Sequence, residues 1–310
     1  SRECWRYPGA RDENTIATES QTNMDDPLNT LFTRFRPSAK MAFSGTVCEM
    51  LNDYHEVELG HLHLMRSGSM TVQPRGESPV HLGEPGLVFL PRGLPHTITA
   101  DEGHVANLLC ATVEIGQQSR SPLALALPTV VVLPFREVPH LQPALELLFV
   151  EFAGAESGRQ TALERLLEYI LILVIRHQII AGSAKQGLLA GLADIGLARS
   201  LTAMHEDPKR TWSLQWLAEE AGMSRARFAD RFHEVLGVTP MAYLSAWRVS
   251  VAQDMLLNGR PAKWAAAEAG YTSAAAFTRA FTRSVGKSPT KWLAERNEAS
   301  DRSPVVWQET

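Results

Sequence analysis

The chain has few cysteines, no long apolar run and no strong excess of either charge. Its three cysteines, Cys4, Cys48 and Cys110, are too few for a disulfide framework, so we expect a reducing compartment, the cytoplasm. The longest apolar run, Ile170 to Ile175, is far shorter than the roughly 20 residues that span a bilayer, and no apolar stretch follows a basic N-terminal patch. The sequence therefore predicts no disulfide-stapled domain, membrane span or signal peptide.

The chain does have the composition of a globular protein, with 45% apolar and 21% charged residues over 310 positions. That length predicts two domains. The net charge is −4, yet residues 205–297 carry thirteen basic and nine acidic side chains, so this part is basic and the remainder is acidic. This asymmetry indicates that one half binds a polyanion.

Short β-type runs separated by turn residues fill positions 42–115. Gly and Pro clusters recur at intervals of roughly ten residues, as at Gly83–Gly86 and Pro91–Gly93. This rhythm predicts a small antiparallel barrel or jelly roll. A short amphipathic helix precedes it at Asp26–Phe35.

After Pro139 the apolar period changes to that of a helix, with one helix from Leu141 and a longer one over 163–179. The stripe of the longer helix is wide enough for either of two roles, packing inside the protomer or forming a two-fold dimer interface. The interface interpretation, which we expect, uses five residues of that stripe: Leu163, Leu167, Ile170, Leu171 and Val174. Residues 183–196, rich in glycine, are predicted to form a linker.

The strongest signal is an internal duplication in the basic half. Residues 216–222 (WLAEEAG) recur 48 positions later as 264–270 (WAAAEAG), and after a one-residue insertion 228–244 match 277–293. Each copy has small residues, a glycine, a good N-cap serine and two phenylalanines one turn apart, as Phe228 and Phe232. This pattern predicts two helix-turn-helix units joined by a helix over 240–257, although plain bundles and helical repeat proteins also contain helix pairs.

The duplicated pattern resembles the AraC/XylS family of transcription regulators over about ninety residues. The shared features are an alanine-rich helix, a Gly-x-Ser turn, paired phenylalanines and a Gly-x-Thr-Pro segment. The resemblance implies that the two helix-turn-helix units bind promoter DNA and that the protein contacts RNA polymerase. The sequence departs from the family at Asp230 and Leu293, where arginine is frequent, and at the bare alanines 274–276.

The residues that we expect to contact DNA lie at the start and on the face of each second helix. Because alanine cannot hydrogen-bond a base edge, we expect the first unit to carry more of the specificity than the second. The set comprises Ser224, Arg225, Ala226, Arg227, Ala229, Asp230, Arg231, Ser273, Ala274, Ala275, Thr278 and Arg279.

The N-terminal half resembles the cupin family. The pattern Gly86-x4-Pro91-x-Gly93-x2-His96 is similar to the second cupin motif, and Gly60-His61-x-His63 to a reduced first one. The glutamate that follows in the metal-binding motif is absent. A metal-dependent cupin enzyme with a helical appendage is therefore the competing interpretation rather than the favoured one.

Four residues of this half form a candidate metal or redox site: Cys48, His63, His96 and Cys110. They resemble the sensory domain of AraC regulators that respond to reactive chlorine species. Alternation along the strand places His61 and His63 on one face and Leu62 and Leu64 on the other, so one pair lies inside the barrel. The set suits Zn²⁺ or an oxidant-sensing thiol pair. Two alternatives stay open: the four residues only pack, or the two histidines bind an organic effector.

The sequence thus predicts a two-domain α+β protein, with an N-terminal cupin-like β-barrel with flanking helices and a C-terminal all-α double helix-turn-helix. The expected boundaries are a disordered extension at 1–23, a sensory and dimerisation domain at 24–182, a linker at 183–196, a DNA-binding domain at 197–297 and a disordered tail at 298–310. The expected function is a homodimeric, DNA-binding transcriptional activator that senses an oxidant, a metal or a small molecule.

Overall fold

A computed structural model of the protein describes residues 27–47, 50–54, 59–101, 105–116, 122–181 and 186–300. The strands are β1 (Ser38–Val47), β2 (Met50–Tyr54), β3 (Gly60–Ser67), β4 (Met70–Pro74), β5 (Val80–Leu82), β6 (Gly86–Leu90), β7 (His96–Ala100), β8 (Ala106–Glu114) and β9 (Val131–Pro134). The α-helices are α1 (Pro27–Phe35), α2 (Pro122–Ala126), α3 (Leu141–Ala153), α4 (Arg159–Ile180), α5 (Leu188–Ala193), α6 (Ile195–Glu206), α7 (Leu214–Glu220), α8 (Arg225–Leu236), α9 (Pro240–Leu257), α10 (Ala262–Glu268), α11 (Ala274–Val285) and α12 (Pro289–Ser300). The predicted α+β class and its order along the chain are confirmed.

The strands form two antiparallel sheets in the N-terminal half. One sheet has the order β1-β8-β3-β6-β9 and the other has the order β2-β7-β4-β5. Antiparallel pairing puts directly opposed residues on the same face, and successive residues on opposite faces. The barrel expected from the turn rhythm is therefore built from two facing sheets.

The inner strands β3 and β6 of the five-stranded sheet are buried on both faces. On β3, Met65 packs into the inner cluster with Val88 and Cys110, whereas Leu62 and Leu64 join the outer cluster beneath the helices. A strand that is covered on both sides needs apolar residues on both faces, which explains why β6 reads as a continuous apolar run, GLVFL.

Helix α4 covers the outer face of this sheet next to α3, and its apolar stripe is buried inside the protomer. The expectation that this stripe forms a dimer interface is wrong for its named residues, because each is fully buried by its own chain. The five, all 0% exposed, are Leu163, Leu167, Ile170, Leu171 and Val174. The width of the stripe reflects neighbours on several sides: β1, α3 and α5.

The two halves share one continuous apolar cluster that extends from Leu28 to Trp292. Helix α1 packs on α6 of the C-terminal half. Within the predicted linker at 183–196, residues 188–193 form helix α5, whose Leu188, Leu189 and Leu192 are buried. This part of the segment is therefore a packed element rather than a free connection.

Candidate DNA-binding surface and barrel histidine cluster

The first helix-turn-helix consists of α7 and α8. Ser213 and Ser224 cap the two helices, with their side chains accepting hydrogen bonds from the backbone N–H groups of Trp216 and Arg227. Between them Gly222 has a φ of 66°, in the left-handed region that favours glycine. The local sequence thus determines where each helix begins and how the turn between them is made.

The second unit, α10 and α11, repeats this construction. Ser273 caps α11 through the N–H of Ala276, and Gly270 takes the turn with a φ of 85°. Helix α9 joins the units over Pro240–Leu257, as predicted, and is capped by Thr239. Its 18 residues correspond to about 27 Å, comparable to the roughly 34 Å between successive major grooves on one face of DNA.

Two phenylalanines fix each recognition helix to its support. Phe228 and Phe232 are fully buried with ring centroids 5.4 Å apart, and Phe277 and Phe281 are buried with centroids 5.5 Å apart. The prediction that all four are core residues is confirmed. In each helix the opposite face is left to solvent.

Asp230 and Arg279 lie at the outermost point of the two recognition helices. Each is two residues from both phenylalanines of its helix, which places it opposite the buried face, and each is exposed. They occupy equivalent positions of the two copies, 49 residues apart, yet carry opposite charges. The two helices therefore present different chemistry to a ligand.

Most of the remaining predicted DNA contacts are also accessible. Ser224 and Ser273 are N-caps, so their hydroxyl groups already accept a backbone hydrogen bond. The other residues are exposed except Ala229, which is half-buried: Arg225, Ala226, Arg227, Arg231, Ala274, Ala275 and Thr278.

Arg231 is engaged within the protein. Its guanidinium forms an ion pair with Asp194 at 3.0 Å and another with Glu234 at 3.0 Å. Asp194 also caps α6, accepting from the N–H groups of Gly196 and Leu197. Arg231 thus braces α8 against α6, which argues against the DNA-contact role expected for it. The larger share of specificity expected for the first unit stays a prediction, and Arg231 no longer supports it.

Three exposed residues of the recognition faces were missing from the predicted set. His233 follows Asp230 by three residues on α8, and Thr282 and Arg283 follow Arg279 by three and four on α11. Residues three and four apart share a helix face, so the helical period could have found them. With Arg279 and Arg283, the outer face of α11 is basic.

Three histidines meet inside the barrel. His61 and His63 project from β3 and His96 from β7 of the facing sheet, and all three are buried. The Nε2 atoms of His63 and His96 are 2.7 Å apart, and the His61 ring centroid lies 5.1 Å from that of His96. The sequence left open which pair of β3 faces inward, and the structure shows that it is His61 and His63, with Leu62 and Leu64 facing the helices.

The protonation of this cluster follows from its partners. Nδ1 of His96 lies 2.7 Å from the carbonyl oxygen of Leu94, which can only accept, so this nitrogen carries a proton. In a neutral pair, His63 Nε2–H then donates to His96 Nε2. Burial lowers the pKa of His61 to about 4 and, together with the neighbouring His96, holds the pKa of His63 well below its usual value. Both rings on β3 are therefore neutral near pH 7.

Cys110 lies directly across from His63 in the pairing of β3 with β8, so the two side chains share the inner face. Its side chain is buried. Cys48 lies outside the described residues. Among the residues that are described, no group of three or more histidine, cysteine, aspartate or glutamate side chains has an arrangement that holds a metal ion.

Comparison with known proteins assigns both halves of the chain to known domain families. Residues 26–179 match the Cupin family, and residues 217–295 match a helix-turn-helix domain family. A protein of Streptomyces lividans named as an AraC-like transcription regulator is 28% identical over 295 residues, covering 86% of this chain and 96% of its own. The chain belongs to the AraC/XylS family.

Two other proteins that are similar to it are a transcriptional activator and a DNA-binding domain. The RCS-specific HTH-type transcriptional activator RclR of Escherichia coli K12 is 27% identical over 240 residues, covering 76% of this chain and 84% of its own. The solved DNA-binding domain of AdpA in complex with a target DNA is 26% identical, covers 36% of this chain and 99% of its own, and has a TM-score of 0.33.

This AraC/XylS protein is a DNA-binding transcription regulator, with the double helix-turn-helix as its DNA-binding part. The relatives are regulators, which decides against the cupin enzyme considered as the alternative. Within the described residues, no helix is long and apolar enough to cross a membrane.

Proposed function

We propose that this regulator acts in the cytoplasm as a homodimeric activator that binds promoter DNA and contacts RNA polymerase. The observation that supports this proposal is the pair of recognition helices, whose outer faces are exposed and which the single helix α9 links. Two neighbouring major grooves suit such a pair, and a dimer would engage two such sites. The relative from E. coli is an activator, which favours the same sign of regulation here.

Selection of bound genomic DNA with the full chain, followed by footprinting, tests promoter binding. We expect protected promoter segments, with each protomer covering two successive major grooves. Transcription in vitro from such a promoter with purified RNA polymerase is expected to rise when the regulator is added. Protection of DNA without this rise, or with a fall, would contradict activation.

A dimer would use the outer face of α3 rather than the stripe of α4. Leu147 and Val150 lie one turn apart on α3 and are 60% and 72% exposed. Such exposed apolar pairs suit an interface between copies. Leu147→Glu with Val150→Glu should give a folded monomer in sedimentation, with Glu146→Gln as the neighbouring control. An unmodified chain that sediments as a monomer would exclude the dimer.

For the barrel we propose a sensory site made of His63, His96, Cys110 and Cys48, which responds to an oxidant or holds Zn²⁺. In support, the His96 Nδ1–H is held by a carbonyl, which leaves Nε2 for a ligand, as in many zinc sites. The two Nε2 atoms would have to separate from 2.7 Å to about 3.3 Å for tetrahedral zinc. The similarity to an RCS-specific activator favours oxidant sensing.

Metal analysis and oxidant titration test this site. We expect up to one zinc per chain, and an oxidant-dependent change in transcription that Cys110→Ser and Cys48→Ser abolish while basal DNA affinity stays nearly unchanged. Cys110→Ala removes the thiol and leaves a small apolar side chain, so it separates the effect of the thiol from the effect of packing. Metal-free protein whose double serine variant still responds to oxidant would leave the cysteines as packing residues, and an organic effector would then be the alternative.

A further inference from the structure

Two exposed tryptophans occupy the same place in the two helix-turn-helix units. Trp216 and Trp264 are each the third residue of the first helix of their unit, α7 and α10, and each is 45% exposed. They are 48 residues apart, in the register of the duplication. Tryptophan exposed to this extent at both positions is unfavourable for a surface that faces only water.

An arginine lies over each indole ring. The guanidinium carbon of Arg210 is 5.1 Å from the Trp216 ring centroid, and that of Arg260 is 5.3 Å from the Trp264 ring centroid. The arginine precedes its tryptophan by six residues in the first unit and by four in the second. The same cation–π stack is therefore reached through two different loop paths, so it is not a by-product of one copied sequence.

The first stack is held firmly in place. Arg210 also lies 4.4 Å from the ring of the buried Trp212, its N–H donates to Asp207 Oδ1 at 3.0 Å, and its carbonyl oxygen accepts from Arg248 Nη2 at 2.9 Å. In the second stack the Arg260 N–H donates to the Met255 carbonyl at 2.9 Å. Both guanidinium groups thus extend from anchored backbone.

The hydrogen-bonding edges of both guanidinium groups are available. Stacking uses the flat face of the group and leaves its N–H edges for a ligand. Within the described part of the chain, neither side chain forms a hydrogen bond or an ion pair, whereas Arg231 and Arg248 use their N–H edges internally. A group of this shape binds phosphate through two parallel N–H···O bonds.

The location of the stacks identifies the ligand. In helix-turn-helix proteins the first helix of each unit crosses the DNA backbone while the second enters the major groove. We propose that Arg210 on Trp216 and Arg260 on Trp264 form a matching pair of clamps for backbone phosphates, one in each unit. This inference rests on promoter binding by the same half of the protein and adds two phosphate-contacting arginines and their supporting rings.

Salt dependence of DNA affinity is the direct test. Each phosphate contact that is lost reduces the slope of log K against log[KCl] by about 0.9. Arg210→Gln and Arg260→Gln should each flatten the slope by that amount and the double variant by about twice as much. Binding of the full chain to a promoter duplex and to a scrambled duplex of equal length should weaken by the same factor, because phosphates carry no sequence information.

Matched variants separate the parts of the clamp. Arg176→Gln, which removes the same charge from an exposed position of α4, should leave the slope unchanged. Trp216→Leu and Trp264→Leu should weaken affinity about two- to fivefold while the slope is retained, and the Phe variants should recover most of it. If Arg210→Gln proves unstable in thermal unfolding, Arg210→Lys replaces it. This variant keeps the charge without the planar fork, so it should retain the slope.

Three results would overturn the proposal. An unchanged slope and affinity in the double arginine variant, with loss of activation by RNA polymerase, would make the stacks a protein-docking surface. Weaker binding to the promoter alone would make the arginines base readers. An unchanged slope with full activity would leave the stacks without a role. If the unmodified chain binds no promoter DNA, the proposed function fails instead, which the same titration reveals.

Discussion

At the scale of single residues, the two recognition helices differ most at their outermost position. Arg279 can donate two hydrogen bonds to the O6 and N7 atoms of guanine, whereas Asp230 can only accept and therefore suits the N4 amino group of cytosine. A carboxylate also repels phosphate, so Asp230 lowers affinity for any DNA that offers it no donor. We expect opposite base preferences at these two positions.

Arg279→Ala should weaken promoter binding by about 1–3 kcal/mol and remove a guanine preference at one position of the site. Ala275→Ser, on the same helix face, is the control and should change affinity little. Affinity and base preference are both measured by selection from a randomised duplex. An equal loss on scrambled DNA would make Arg279 a phosphate contact.

The glycines at the two turns offer a comparison of equivalent positions. Both have positive φ, but a Cβ at Gly222 would meet no atom within 4 Å, whereas one at Gly270 would lie 2.7 Å from the Pro208 carbonyl oxygen and 2.9 Å from Lys209 Cα. The first copy is thus constrained by backbone conformation alone. The second is also constrained by close packing against the segment that precedes α7.

Gly222→Ala should lower the free energy of unfolding by about 1–2 kcal/mol, the cost of the left-handed conformation. Gly270→Ala should cost about 2–5 kcal/mol, because backbone atoms must also move. Denaturant unfolding of both variants measures the difference. Equal losses would show that the contact at Gly270 relaxes without cost.

At the scale of elements, helix α4 shows how one stripe serves several neighbours. Its buried residues face β1, α3 and α5 together, so the whole stripe is core. The strands show the same principle, since β3 directs its histidines inward and its leucines outward. Burial on more than one side gives an element its wide apolar surface.

Leu167→Ala should destabilise the N-terminal half by about 2–5 kcal/mol, as expected for a fully buried leucine that leaves a cavity. Thermal unfolding measures this loss, and sedimentation should show no change in oligomeric state. Arg165→Ala, on the exposed side of α4, is the control and should cost little. A stable monomer from Leu167→Ala would restore the interface interpretation.

At the scale of the whole molecule, α1 belongs to the N-terminal half in sequence but packs on α6 in the C-terminal half. Leu31 is fully buried, and Thr30 donates a hydrogen bond to Glu206 of α6 at 3.4 Å. Helix α6 in turn is capped by Asp194, which holds Arg231 of the first recognition helix. A physical connection therefore runs from the barrel side to α8.

Leu31→Ala should speed hydrogen exchange in α6, because a cavity at the α1 contact lowers the local opening free energy. The control Leu64→Ala creates a similar cavity under the sheet and should leave exchange in α6 unchanged. Mass spectrometry of peptides from 195–206 gives the measurement. Faster exchange in both variants would mean that the halves unfold as one unit.

The sequence by itself determined the features that depend on residues close together in the chain. The caps at Ser224 and Ser273, the helix over 240–257 and the alternation of histidine and leucine along β3 all follow from local spacing. Periods of two and 3.6 and the conformational freedom of glycine act over a few residues, so a single sequence reveals them.

Only the tertiary structure decided which distant residues meet. The burial of the α4 stripe by its own chain, the pairing of Arg231 with Asp194 and the approach of His63 to His96 across two sheets each join residues from separate elements. The Arg210 and Trp216 stack likewise depends on the path of a loop. Such contacts are selected by the packing of whole elements, and spacing along the chain carries no record of them.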